Sequence, residues 1–405
     1  MTIVAGLLSI RLYTELAPRE VLGGASLVMG AMTLLMNLIV APFTQTQVRY
    51  QAEYSRLGQG DSYQVFILQH ALVATLMAGV PMTACLLVWP ATRLGSSVIV
   101  IPMLAVWALS TTLRNVLVGR LNADRRQRQY SRFIALEAVS IALATAVALL
   151  VWKSIEAFIA GQIVGLLLAI ILSRSCMPVL YRRAVIDGDI RRRLEWQRIY
   201  LYGSPFAAIF VLEWLVNQTD RYILAMHLTL DAVGLYAAAF MLASRPAMLA
   251  GTILSDLLRP VLFATTNLGS RSIRNFETAW LGIQLVSSAC IVAVFLFAGE
   301  LIAEIFLGEA YRPGAPELMT LIAAAYGVRA IALVMENQIY AREQPWRIAI
   351  AKLLPTIVVT TSALLLIPVM GLTGAALANL CAQISFVIAC LLALMVRPLQ
   401  MAHKP

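Results

Sequence analysis

The sequence predicts an all-α integral membrane protein with about twelve transmembrane helices in two six-helix lobes around a central cavity, both termini cytoplasmic. Three observations predict it. The 405 residues are 60% hydrophobic and 13% charged, with a mean hydropathy of +0.81, whereas an ordinary soluble domain needs about 25% charged residues. Apolar runs of about 20 residues, the length that crosses a hydrocarbon core roughly 30 Å thick, recur along the chain and leave no room for a sizeable extramembrane domain. The charges that remain, a formal +10, fall almost wholly between the runs. The positive balance therefore reports membrane topology and not nucleic acid binding.

Taken in order, the runs bounded by charge, proline or glycine cover residues 3–16, 21–43, 65–89, 97–118, 133–152 and 155–173. A second set covers 199–215, 232–255, 278–298, 318–334, 348–369 and 371–396. The first lacks a basic leading region and a small-residue cleavage site, so it reads as a span and not a signal peptide. The seventh is the least sharply bounded, because Glu213, Asp220 and Arg221 punctuate the stretch after Ile199. With the N-terminus inside, the cytoplasmic connections and tail hold 21 Lys and Arg against 6 in the outer connections. Basic residues resist translocation, so this bias sets both termini in the cytoplasm.

The longest and most basic connection, from Arg174 to Arg198, divides the chain. The expected organisation is an N-terminal six-helix lobe over 1–178, a basic cytoplasmic linker over 179–198 and a C-terminal six-helix lobe over 199–405. A local similarity supports the division. Pro18-Arg19-Glu20-Val21-Leu22-Gly23 enters the second run as Thr229-Leu230-Asp231-Ala232-Val233-Gly234 enters the eighth, a pattern of parallel internal repeats found in transporters that rock one bundle against another.

No nucleophile elbow, zinc-protease helix, Walker sequence or dinucleotide fingerprint occurs, so no catalytic residue and no cofactor is expected. The histidines His70, His227 and His403 are far apart, which argues against a metal. The cysteines Cys85, Cys176, Cys290, Cys381 and Cys390 lie in or beside apolar runs without CxxC spacing and read as small packing residues. The informative residues are charges inside the apolar runs, since each costs several kcal/mol unless it meets water or a partner. Arg245, Arg329 and Lys352 are the basic ones, and Glu137, Glu213 and Glu336 the acids; Arg114 ends the fourth run. One reading pairs them within the bundle, most readily at Arg114, Glu137 and Glu336. The other lines a water-filled cationic cavity with Arg245, Arg329, Lys352 and Arg11 to hold an anionic headgroup, pyrophosphate being the natural guest of planar guanidinium forks. Arg245 is favoured because Pro246 frees backbone groups tolerable at depth only near a cavity or protein. Pro81, Pro102, Pro205 and Pro355 are expected to interrupt spans. Asp220 and Arg221, with Glu213, form a candidate ion pair or gate at the outer end of the seventh span.

Three stretches resemble one family. Asp220-Arg221-Tyr222-Ile223-Leu224 through Asp231-Ala232-Val233-Gly234-Leu235-Tyr236-Ala237-Ala238-Ala239 is similar to the seventh-to-eighth-span region of bacterial polysaccharide flippases of the Wzx type, in the multidrug/oligosaccharidyl-lipid/polysaccharide exporter superfamily. Leu7-Leu8-Ser9-Ile10-Arg11-Leu12 followed by Ala17-Pro18-Arg19-Glu20-Val21-Leu22-Gly23 resembles the end of that family's first span and its next turn. Leu366-Ile367-Pro368-Val369-Met370-Gly371-Leu372-Thr373-Gly374-Ala375-Ala376-Leu377-Ala378 resembles the joint between the last two spans. The resemblance implies a multi-pass protein of the bacterial inner membrane that carries an undecaprenyl-pyrophosphate-linked oligosaccharide from the cytoplasmic to the periplasmic leaflet by alternating access, for O-antigen, capsule or exopolysaccharide assembly. Its implied partners are that lipid-linked substrate, membrane lipids, a polysaccharide polymerase and a chain-length regulator. The first run is shorter than the family's pattern, which points to a start placed downstream of the true one or to a member of reduced activity. Alternatives within the superfamily are a multidrug exporter, which would carry more intramembrane acids, and a peptidoglycan-precursor exporter, which would carry two further spans. A membrane polymerase would need a larger outer loop than 299–317.

Overall fold

The computed structural model describes residues 2–79, 81, 100–176, 199–265, 270–342 and 345–395. Among them every regular element is helical, as a bilayer demands of a chain that must satisfy its backbone hydrogen bonds internally. Eight of the helices are long and apolar enough to cross a membrane. Apolar side chains face outward as they would toward lipid, with Phe297 86% and Val369 83% exposed. Two compact units emerge, Met1–Trp214 with Phe306–Ala310, and Leu215–Ile305 with Tyr311–Pro405. The expected linker 179–198 lies outside the described residues, as do the chain end after 395 and most of the stretch after Gly79.

The first unit contains α1 (Thr2–Leu16), α2 (Arg19–Ile39), α3 (Ala41–Arg56), α4 (Gly60–Ala74), α5 (Val100–Ala123), α6 (Gln127–Val151), α7 (Ile155–Cys176) and the start of α8 (Ser204–His227). Its core joins Val28, Met32 and Leu35 of α2 to Leu104 and Ala108 of α5 and Ile159 and Ile163 of α7. Helices α6 and α7 form a close hairpin. A side chain at Gly161 or Gly165 would collide with the backbone of Thr145 or Ile141, so these glycines, four residues apart on one helix face, let two membrane helices approach to backbone contact. The segment Phe306–Ala310 is tied to α1: the Gly308 amide donates to Thr14 Oγ1 at 2.8 Å.

The second unit contains the rest of α8, α9 (Leu230–Thr265), α10 (Ser270–Phe306), α11 (Ala315–Ala341), the short α12 (Pro345–Ala351) and α13 (Leu353–Met395). Helix α11 packs on both α9 and α13. Ala332, Met335 and Ile339 of α11 meet Ile348 of α12 and Phe386, Ala389 and Cys390 of α13. The described cysteines Cys290, Cys381 and Cys390 are free thiols.

Several boundaries differ from those expected. The second run does not continue to Phe43. Pro42 stands in the first turn of α3, lacks the N–H that would extend the α2 ladder, and the chain starts a new helix after Val40. The connection that follows is therefore not a loop but the polar helix α3 carrying Arg49 and Arg56. The seventh run does not stop near Leu215; α8 runs on to His227, since Asp220 finds partners inside the protein. Arg259, expected in a cytoplasmic connection, lies in α9 and donates to Asn337 Oδ1 at 2.7 Å. Pro205 and Pro355 stand at interruptions: a π-helical turn, Ile199–Gly203, gives way to α8 at Ser204 beside Pro205, and the break at Lys352 between α12 and α13 falls three residues before Pro355, which has no N–H to donate to the Ala351 carbonyl. Pro102 lies in α5, two residues inside the edge of the described residues. Pro81 sits at the edge of the described residues. The joint between the last two runs falls where expected, at Gly371, whose φ of 59° and ψ of −128° suit glycine alone. The two similar hexapeptides occupy matching places, Glu20 and Asp231 each standing in the first turn of a helix, α2 and α9.

Candidate functional site

Two of the basic residues chosen from the sequence converge. Arg329, near the middle of α11, donates from Nη1 to Glu336 Oε2 at 2.9 Å, and Lys352 Nζ lies 3.3 Å from Glu336 Oε1. Glu336 is 4% exposed and Lys352 6%. Helix geometry explains the first contact, because residues seven apart stand two turns from each other on one face. The second depends on a break. Lys352 separates α12 from α13, and its long side chain reaches Glu336 on α11. Phe386 of α13 supports both bases, its ring centre 4.8 Å from the Arg329 guanidinium and 5.7 Å from the Lys352 ammonium. An aromatic face holds a cation without competing for its hydrogen-bond donors. The result is a guanidinium and an ammonium held together between packed helices, a donor set that fits phosphate oxygens.

The other sequence candidates occupy separate places. Arg245 is half-buried on α9, which continues through Pro246; proline cannot donate to the Leu242 carbonyl one turn back. Arg11 belongs to the first unit, where it pairs with Glu15 at 2.8 Å and donates to the Leu307 carbonyl. Glu213 is half-buried on α8 in the first unit, two turns before Asp220.

Asp220 is fully buried and lies within its helix, not beyond its end. Its carboxylate accepts from Tyr236 Oη at 2.5 Å and from Asn379 Nδ2 at 3.4 Å, while the Arg221 amide donates to Oδ1 at 2.8 Å. The Arg221 guanidinium donates to Gln218 Oε1 at 2.9 Å and lies 4.3 Å from the centre of the Phe240 ring. Tyr326 packs edge-on to Phe240 and donates to Asn217 Oδ1 at 2.8 Å. Asn379 Oδ1, Arg221 Nε and both amide atoms of Gln383 are buried without a partner among the described residues. Tyr236, Asn379 and Gln383 carry no charge, so a search for charges in the apolar runs passes over them. Asn379 and Gln383, four apart in the last apolar run, carried a signal: two amides on one face of an otherwise apolar helix.

The acid–base pairing expected at Arg114 and Glu137 is present as a two-pronged contact, Nε to Oε1 and Nη2 to Oε2, both 2.8 Å. Among the described residues no cluster of His, Cys, Asp and Glu suits a metal.

The protein family described as polysaccharide biosynthesis protein matches residues 59–316. No curated protein matches by sequence. Among solved structures, the fold is similar to an inward-facing multidrug resistance MATE family transporter of the MOP superfamily, with a TM-score of 0.72 at 13% identity over 98% of this chain and 94% of that one. It is equally similar to the lipid II flippase MurJ in an inward closed conformation, at 0.72 and 12% identity over 98% and 86%. A MOP superfamily transporter from Pyrococcus furiosus, noted for the reversed polarity of its binding pocket, matches at 0.52 and 13% identity over 97% and 91%. Helical spans, fold and sequence match agree: the chain is a multi-pass membrane protein that belongs to the polysaccharide biosynthesis protein family and has the fold of the MOP superfamily transporters.

Proposed function

We propose that the protein is a flippase that moves an undecaprenyl-pyrophosphate-linked oligosaccharide from the cytoplasmic to the periplasmic leaflet of a bacterial inner membrane, by alternating access, for O-antigen, capsule or exopolysaccharide assembly. The observation that carries this reading is the Arg329–Glu336–Lys352 cluster between packed helices in a chain of the polysaccharide biosynthesis family. The two bases are assigned to the diphosphate, with Arg245 and Arg11 as further cationic contacts on its route. Glu336 holds both bases in place when no anion is bound, and gives up one contact at a time as phosphate oxygens arrive. Asp220, Arg221 and Glu213 are assigned to gating, with Asp220 anchored across α8, α9 and α13. The two six-helix lobes, 1–178 and 199–405, are the bodies that rock, and both termini lie in the cytoplasm. A polysaccharide polymerase and a chain-length regulator act on the delivered glycan. The family match favours this cargo over a multidrug or a peptidoglycan precursor, and no catalytic step is assigned.

Deleting the gene tests the reading: lipid-linked glycan should accumulate on the cytoplasmic face. Complementation with Arg245→Gln, Arg329→Gln or Lys352→Gln at matched membrane levels should restore little export. Full export by all three variants overturns the cationic site, and unchanged glycan distribution in the deletion overturns the cargo.

A further inference from the structure

A cavity of about 250 Å³ lies within the first unit among α2, α3, α5, α6 and the start of α8. None of its lining residues is charged. Asn37, Gln45, Asn115 and Asn122 bring four amides to it, and Tyr130 and Phe210 bring two rings. Asn37, Gln45, Asn122 and Tyr130 make no side-chain hydrogen bond to a described residue. Asn115 accepts from Arg114 through Oδ1 at 3.1 Å, which leaves its amide nitrogen as a donor toward the cavity side. Behind Gly119, which forms part of the wall, Gln47 is 0% exposed with both amide atoms unpartnered among the described residues. A Cβ at position 119 would stand 2.7 Å from Gln47 Oε1, so the glycine keeps that amide immediately behind the wall.

Four amides around one cavity offer donors and acceptors to a ligand that hydrogen-bonds them. The chemistry narrows the class. With no basic side chain in the lining, and Arg114 engaged by both oxygens of Glu137, the cavity does not suit a phosphate. With no carboxylate in the lining, it does not suit an organic cation. An amide both donates and accepts, as a sugar hydroxyl does, and aromatic rings offer flat apolar faces to the C–H face of a pyranose. The volume falls below the roughly 300–1,000 Å³ of sites for drug-sized ligands, which fits a single ring. The cavity also lies where α5 turns into α6, beside the basic run Arg120 to Arg132 that charge bias assigns to the cytoplasm.

We propose that this cavity is a sugar subsite that takes one uncharged monosaccharide ring of the cargo, apart from the basic cluster that takes its diphosphate; it rests on the glycan cargo proposed above. Saturation-transfer NMR on the full-length protein in nanodiscs tests it, with methyl β-glucoside, methyl α-galactoside and methyl N-acetyl-β-glucosaminide as probes and glycerol as control. At least one pyranoside should bind, about tenfold more weakly to N37L/N122L. Leucine matches asparagine in size, and N122L alone, at an exposed position, serves if the double variant does not fold. Absence of binding by every pyranoside, or binding indifferent to both variants, overturns the subsite. Pyranoside binding without transport of glycan-linked lipid upholds the subsite and overturns the flippase reading, and transport without pyranoside binding does the reverse.

Discussion

Two acid–base contacts, a half-buried one in the first unit and a deeper one in the second, use the same chemistry in different proportions. In the first unit Glu137 spends both oxygens on one guanidinium, that of Arg114. In the second, Glu336 divides its oxygens between Arg329 and Lys352. A two-pronged fork is a closed unit that fixes α5 against α6 and is strong because both hydrogen bonds are parallel and charge-assisted. A divided carboxylate holds each base through a single oxygen, so the anion proposed to bind there could replace one contact without dismantling the other. Asp220 supplies a third case, an acid held by the hydroxyl of Tyr236 and the amide of Asn379.

The comparison breaks most easily at Glu336. Replacing it with leucine leaves two buried bases without their shared acid, and the thermal stability of the purified protein should fall by about 3–5 kcal/mol; an unchanged unfolding midpoint would show that the carboxylate does not anchor them. At the fork, R114L alone should cost about 2 kcal/mol, the pair being half-buried, whereas R114M/E137L should return stability and export close to the parent, since such an ion pair is often replaced by apolar packing without loss. The matching triple replacement R329M/E336L/K352M should fold yet not export, and export by it would erase the distinction between the two sites. Tyr236→Phe removes one donor from a buried carboxylate and should cost about 2 kcal/mol, read by denaturation in detergent. The smallest effect is expected from Arg329→Lys, which keeps the charge but loses the planar fork: export at matched membrane levels should fall about tenfold, and no change would mean that charge alone suffices there.

Much of the fold was legible because the bilayer imposes one requirement on every span. Continuous apolar length identified the helices, and a single glycine located the joint at Gly371. Boundaries were less legible where polar residues are satisfied inside the protein. Asp220 looked like the end of a span because nothing local reveals that Tyr236, sixteen residues on, and Asn379, in the last helix, stand ready to bond its carboxylate. Arg259 misled for the same reason, its partner Asn337 lying on another helix. Proline was the better guide: Pro205 stands where a π-helical turn becomes α8, and Pro355 follows the break at Lys352.

The sequence by itself determined the all-helical membrane class, the family resemblance and the presence of Arg329, Lys352 and Glu336 in apolar surroundings, because hydropathy and charge are properties of each residue where it stands. Only the tertiary structure decided that these three meet, that Arg11 pairs with Glu15 beside the Leu307 carbonyl, and that four amides from three helices share one cavity. Which side chains share a site depends on how helices far apart in the chain turn their faces. That is set by glycine contacts such as Gly161 on Thr145 and by breaks such as the one at Lys352, whose partner across the bundle the local sequence does not name.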